Sequence, residues 1–422
     1  MSQSKTFRFK HFLKERQQLS QSGKEQLLSV SEYYGVAPRS SVFSENRQES
    51  RADSLEGYRI VKKGDLVMNY MLAWKGAYGI SEFNGIVSPA YSVFEVNESI
   101  VDLRFLHHRS RSKDMQSTFK SVSRGIMESR LRLYPEILLS LPIALPNLED
   151  QRRISAGLDK QTTRIDTLIA KKTRFIELLK EKRQAIITKA MTKGLNDSVG
   201  MKDSGVEWIG RVPDEWVIGR LRDFCDSIST GPFGTALSAS DYIEDGIPVI
   251  NPSHMSNGMF KPDRSVSVSV RTARRLHFWA LREGDIVTAR RGELGRAAIV
   301  SFKEAGWVCG TGSLRLTPLH NKVSANYLYS LLQSNYAKAW LDRESVGSTM
   351  PNLSELLIGQ LPVVMPPSLA EQKALLAKLD TLLLRVSQLI ERTQQSIDLL
   401  KEKRSALITA AVTCKIVVRE AA

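Results

Sequence analysis

The chain has 422 residues, with 60 Lys+Arg against 45 Asp+Glu, so its formal net charge is +15. At 42% hydrophobic and 25% charged residues it can bury two or three sizeable cores and is not a disordered tail. Cys225, Cys309 and Cys414 lie too far apart for a disulfide framework or a CxxC zinc site, and no metal site is predicted. The opening MSQSKTFRFKHFLKER has no apolar signal core, and the greasiest stretch, Ile137 to Pro146, falls far short of the ~20 residues of a membrane span. These features predict a soluble, cytoplasmic protein without a membrane partner. The excess of cations favours a polyanion, most often nucleic acid.

In chain order, residues 1–145 mix short β-type runs with Gly and Pro punctuation, as in Gly85-Ile-Val-Ser-Pro-Ala-Tyr-Ser-Val-Phe94. From Glu149 to Lys193 there is no Pro and almost no Gly, and apolar residues fall at Ile154, Leu158, Ile165, Leu168, Phe175, Leu179 and Ile186. Residues 196–365 return to the mixed texture, with Gly246-Ile-Pro-Val-Ile250 and a strand around Asp285 to Ala289. From Ala370 to Cys414 the Pro-free pattern recurs, with Leu375, Leu379, Leu382, Val386, Leu389, Leu400 and Leu407. Steps of three and four predict the a/d seam of a coiled coil in both stretches, broken by Gln161, Lys172 and Thr393.

The chain also repeats itself. Leu178-Leu179-Lys180-Glu181-Lys182-Arg183 returns as Leu399-Leu400-Lys401-Glu402-Lys403-Arg404, followed by QAIIT (Gln184 to Thr188) and SALIT (Ser405 to Thr409). Leu141-Pro-Ile-Ala-Leu-Pro146 matches Leu361-Pro-Val-Val-Met-Pro366, and Lys63-Gly64-Asp65-Leu66-Val67 matches Glu283-Gly284-Asp285-Ile286-Val287. A period of half the chain is a duplicated domain pair, not a solenoid. The reading is an α+β protein: two globular α/β domains (1–145 and 196–365), target-recognition domains by the resemblance given below, separated by two long antiparallel coiled-coil helices (146–195 and 366–422), with a pseudo-two-fold internal repeat. The alternative is two separate helices packed on their own domains, or intermolecular coils. Two unlike readers on a shared ruler suit an asymmetric DNA site in two parts, about one helical turn or ~34 Å apart.

The motifs and their order resemble the specificity subunits of type I restriction–modification systems over nearly the whole chain. Carriers are the helices ending in LLKEKR, the lead-ins LPNLEDQ (Leu145 to Gln151) and MPPSLAEQ (Met365 to Gln372), WIGRVPDEW (Trp208 to Trp216), GSTMPNLS (Gly347 to Ser354), GIVSPAY (Gly85 to Tyr91) and SRLRLYPE (Ser129 to Glu136). The first half lacks a counterpart of WIGRVPDEW. The resemblance implies a chain without catalysis of its own, which binds double-stranded DNA and docks two modification (methyltransferase) subunits and, with them, restriction (motor–nuclease) subunits. The holoenzyme would be a site-specific deoxyribonuclease and adenine methyltransferase. This chain would hold no cofactor: S-adenosylmethionine would sit in the modification subunits, and ATP and Mg²⁺ in the motor–nuclease. The sequence has no GxxxxGK[ST] phosphate loop and no Asn-Pro-Pro-aromatic run, Asn251-Pro252-Ser253-His254 being the nearest approach.

Base reading needs Arg, Lys, Asn or Gln at a groove. In the second domain the candidates are Arg290, Arg291 and Arg296, against a solvated basic turn, and Ser348, Thr349 and Asn352, against a helix cap. Arg271, Arg274 and Arg275 suit phosphates or plain surface. In the first domain the candidates are Asn69, Tyr70, Trp74 and Lys75, with Trp74 also readable as core. Arg109 and Arg130 belong to a basic run with Arg104, Arg111, Lys113, Lys120, Arg124 and Arg132. His107-His108 reads as a surface pair, and Gly64-Asp65 and Gly284-Asp285 as β-turns. Glu181, Lys182, Arg183, Glu402, Lys403 and Arg404 are candidates for partner docking, against a solvated helix face. Two rivals remain open: a self-sufficient methyltransferase or nuclease, and a stand-alone coiled-coil DNA or RNA binder such as a repressor.

Overall fold

The computed structural model describes residues 4–32, 35–42, 54–126, 131–344 and 353–416. Two compact units result. One holds Met1–Thr173 and Gln394–Ala422, the other Arg174–Thr393.

Two helices dominate, Leu148–Lys193 and Leu369–Val412, close to the Pro-free stretches of the sequence. Their starts are built by side chains. Asn147 Oδ1 accepts from the Asp150 amide at 2.7 Å, and Ser368 Oγ from the Glu371 amide at 3.2 Å, while Glu371 accepts from the Ser368 amide in a capping box. Early residues of each helix share a core with late residues of the other. Ile154 and Leu158 cluster with Ile408, Ala411 and Val412 in the first unit, and Ile187, Ala190 and Met191 with Leu375 and Leu379 in the second. That is the antiparallel arrangement.

The buried stripe has a period that differs from the expected heptads. Ile154, Ile165, Ile176 and Ile187 are buried at steps of eleven, as are Leu375, Val386, Ile397 and Ile408. Leu168, Phe175 and Leu389, assigned above to the seam, are exposed instead. A straight helix drifts ~20° per heptad, so a seven-residue stripe leaves the interface after two or three repeats. An eleven-residue step, 3.67 residues per turn, keeps it in place without left-handed supercoiling.

The globular part of each unit carries one four-stranded antiparallel sheet in the same order. In the first unit it runs Leu13–Glu15, Tyr91–Val96, Leu66–Asn69, Tyr78–Ile80. In the second it runs Cys225–Thr230, Ser313–Pro318, Ile286–Ala289, Ala297–Ile299. A short ribbon accompanies each sheet, Lys5–Arg8 with Pro142–Leu145 and Val217–Arg220 with Pro362–Met365. The central strands are covered on both faces, which explains their uninterrupted hydrophobic runs. Leu66 and Met68 join the core shared with the long helices, while Val67 faces a second cluster with Val30, Val61 and Val93. Ile286 and Val287 divide in the same way. The second unit adds a sheet in which Ile247–Ile250 lies parallel to Val308–Cys309.

The expected turns are present. The Asp65 amide donates to Lys62 O and the Asp285 amide to Arg282 O, both at 3.0 Å, with Gly64 and Gly284 at φ +94° and +85°. Among the described residues no helix is long and apolar enough to cross a membrane. No group of three or more metal-ligating side chains occurs among them, and all three cysteines are free.

Candidate nucleic-acid interface

The fixed part of each unit is a set of polar contacts made twice. Gln151, fully buried, accepts from the Asp102 amide at 2.9 Å and donates to Pro146 O at 2.9 Å and Ile100 O at 3.2 Å. Gln372 does the same for the Ser324 amide, Lys322 O and Pro366 O at 3.0, 3.0 and 3.2 Å. In each case the glutamine satisfies backbone groups at the start of a domain helix, Leu103–Ser110 or Ala325–Leu332, and ties it to a long helix. A second pair of anchors lies at the other end of the long helices. Thr409 Oγ1 accepts from the Lys113 amide at 3.2 Å, and Thr188 Oγ1 from the Asn335 amide at 3.0 Å. Lys113 and Asn335 each open a helix, where amides lack intrahelical partners. These four residues were not among the sequence candidates. Their signal was identity: each polar residue survives in both copies of LEDQ/LAEQ and AIIT/ALIT.

The loops carried on this frame differ. After Ile286–Ala289, the Arg290 amide donates to Gly312 O at 2.9 Å and its Nε to Leu353 O at 3.0 Å. Arg296 lies on the Glu293 carboxylate and donates to Pro252 O at 3.2 Å. Arg291 is exposed and makes no hydrogen bond or ion pair among the described residues. Gly292 and Gly295, at φ +79° and +83°, turn the segment back. Arg275 is held by Asp241 at 2.8 Å, whereas Arg271 and Arg274 are exposed. Ser348, Thr349 and Asn352 lie outside the described residues, as does Arg130.

In the first unit Asn69 is buried, and its side chain accepts from the Met71 amide at 3.1 Å. Tyr70 stacks on Tyr134 with ring centres 6.0 Å apart. Trp74 is half-buried beneath two ammonium groups, Lys75 at 5.0 Å and Lys120 at 5.3 Å from its ring centre. Arg109 is directed inward, donating to Ser112 and Asp114, both at 2.8 Å. Arg111 donates to the Gly76, Tyr78 and Glu32 carbonyls. Asn69, Tyr70, Trp74 and Lys75 thus lie at the end of the strand Leu66–Asn69 and in the segment that follows it, while Arg109 is engaged by Ser112 and Asp114.

His108 lies inside, not on the surface, and His107 is half-buried beside it. His108 is buried with Nε2 2.8 Å from Asp159 of the first long helix, and its hydrogen bond holds the Asp159 carboxyl below the usual range. Burial, aided by Arg111, pushes the His107 imidazole down to about 3. Its unfolded value is near 6.5, so the unfolded chain takes up this proton first. The stabilisation from neutral His107 is present above about pH 6.5 and is lost as pH falls towards 3. Urea unfolding of the first unit at pH 7.5 and 4.5 should show this loss, and His107→Gln should reduce the difference.

Of the docking candidates, Glu181, Lys182, Arg183, Glu402 and Lys403 are exposed, while Arg404 is half-buried 2.9 Å from Asp166. Beside them Leu178 and Leu399, equivalent in the repeat, are both exposed.

A family model described as type I restriction modification DNA specificity domain matches residues 213–399. The MjaVIII specificity subunit of Methanocaldococcus jannaschii is 23% identical over 367 residues, covering 85% of this chain and 81% of that one. The EcoBI specificity subunit of Escherichia coli is 23% identical over 294 residues, 68% of this chain and 60% of that one. Among solved structures, a chain from work on complex assembly and conformational transition of the type I R-M system aligns with TM-score 0.69 at 16% identity, covering 98% of both chains. The HsdS subunit of Thermoanaerobacter tengcongensis aligns with TM-score 0.54 at 18% identity, covering 99% of this chain and 98% of that one. The duplicated frame, the unlike loops and these likenesses agree: residues 213–399 match the type I restriction modification DNA specificity domain, and the chain is similar to type I specificity subunits over most of its length.

Proposed function

We propose that this chain recognises a two-part, asymmetric DNA sequence, each unit reading one part, and presents the DNA to methyltransferase and nuclease subunits. The observation that carries this reading is the contrast within the repeat. Gln151 and Gln372, Thr409 and Thr188, and the sheet order are the same in both units. The loops after the equivalent strands are Trp74-Lys75 in one and Arg290 to Arg296 in the other. A frame made twice with different loops suits two readings of unlike sequences. The repeated exposed segments, Leu178 with Glu181 to Arg183 and Leu399 with Glu402 and Lys403, suit two copies of one partner. Catalysis and the binding of S-adenosylmethionine, ATP and Mg²⁺ belong in this reading to the partner subunits.

The test is the methylation pattern of host DNA with and without this gene. A two-part motif methylated only in its presence supports the reading, and an unchanged pattern overturns it. Within the second unit, Arg291 is the candidate cation least engaged by the protein itself. Arg291→Ala should weaken binding roughly tenfold or more if it contacts a base, with discrimination relaxed only in the part read by that unit. Equal weakening on all sequences, with a shallower salt dependence, would make it a phosphate contact.

A further inference from the structure

Phe233 stands in the loop Gly231-Pro232-Phe233-Gly234-Thr235 that follows the edge strand Cys225–Thr230. Its side chain is 63% exposed, although the loop's stem is firmly held. Thr230 donates through its amide and hydroxyl to Glu355 at 2.6 and 2.9 Å, and its carbonyl accepts from Trp279 Nε1 at 2.8 Å. The Gly231 amide donates to Ser313 O at 3.0 Å, and Thr311 Oγ1 to Pro232 O at 2.7 Å. A Cβ on Gly231 would lie 1.9 Å from Gly310 O, so only glycine permits this approach. The aromatic ring is therefore displayed to solvent by a rigid stem.

The same contacts place the loop among the candidate DNA-reading segments. Thr311 and Gly312 link it to Arg290, whose amide donates to Gly312 O, and to Asn251, which accepts from the Gly312 amide at 3.3 Å. Pro252 accepts from Arg296, and Ala236 at the loop's far end accepts from Arg275 at 3.3 Å. Glu293 and Asp241 are engaged by Arg296 and Arg275, and Glu355 by Thr230. Arg291, Arg271 and Arg274 add exposed positive charge from the same unit. An apolar ring on a fixed stem, set among cations, fits a duplex whose backbone is drawn in by charge and whose base stack accepts a wedge.

Resting on the DNA-recognition reading above, we propose that Phe233 wedges between adjacent base pairs in the part of the site read by the second unit, so that the stacking strength of that step contributes to sequence choice. The experiment uses the full chain with its modification subunits and duplexes carrying the mapped motif, with 2-aminopurine placed in turn at each position of either part. Wild-type complex should raise the fluorescence at one step of one part. Phe233→Ala should abolish that rise and weaken binding roughly ten- to hundredfold, leaving discrimination in the other part unchanged. Phe233→Trp should retain the signal. Wild-type affinity and fluorescence in Phe233→Ala would overturn the wedge. So would loss of modification-subunit binding with normal DNA affinity in the complexes that form, which would make Phe233 a protein contact. A wild-type complex with no preference for the mapped motif over a scrambled duplex would remove the underlying reading, and the wedge with it.

Discussion

Replacing Asp285 with alanine should destabilise the second unit by about 3–5 kcal/mol, the range for stripping a buried cation of its counter-charge. Both partners are almost completely buried, with Asp285 4.0 Å from Arg315. Asp285 also accepts from the Arg282 amide at 2.8 Å and from Thr317 Oγ1 at 2.7 Å, so its loss orphans two more donors. Among the described residues Arg315 would keep the carbonyls of Phe278 and Ala280, at 2.8 and 2.7 Å, and the Phe278 ring, its centre 5.7 Å away. Asp285→Asn preserves an acceptor for the Arg282 amide and should cost less than the alanine variant. Adding Arg315→Met to Asp285→Ala should recover part of the loss. Urea unfolding of all three variants measures this, and a double variant no more stable than Asp285→Ala would refute the charge argument.

Gln372→Leu should cost about 3 kcal/mol, because a side chain of similar size leaves one buried and two part-buried backbone groups unmatched, a buried one being worth roughly 1–3 kcal/mol. The groups are the Ser324 amide and the carbonyls of Lys322 and Pro366. The loss falls on the junction between the helix Ala325–Leu332 and the second long helix. Amide exchange in both segments should therefore rise together. Gln151→Leu should produce the equivalent change around Asp102 and Pro146 in the first unit. Exchange confined to the substituted residue's own turn would show that the glutamines are not joints.

What was legible in the sequence follows from what is local. The long helices were visible because an unbroken Pro-free stretch is a property of consecutive residues. Their period was misread because Leu168, Phe175 and Leu389 satisfy a seven-residue rule, and over two turns sevens and elevens differ by too little rotation to separate. The strand around Ile286 was read from its apolar run, but the neighbour order it shares with the strand Leu66–Asn69 depends on pairings with residues such as Val93 and Arg315, far along the chain. The histidine pair looked superficial because nothing beside it announces Asp159. The loops are harder still. The aim of Phe233 is set by Glu355, Trp279 and Thr311, which no spacing rule connects to it. Gln151 and Gln372 could have been found, since a polar residue retained in both copies of a diverged repeat signals a shared joint.

The division of the chain between its units has a consequence for synthesis. The unit formed by Arg174–Thr393 is one unbroken stretch, whereas the other needs Met1–Thr173 together with residues that follow Gln394. On the ribosome, the later-made unit can therefore close first. The earlier-made one waits, with Ile154 and Leu158 uncovered, until Ile408, Ala411 and Val412 have emerged. Nascent chains of this protein would thus expose this apolar face of the amino-terminal half to chaperones and proteases from the synthesis of Leu158 until that of Val412.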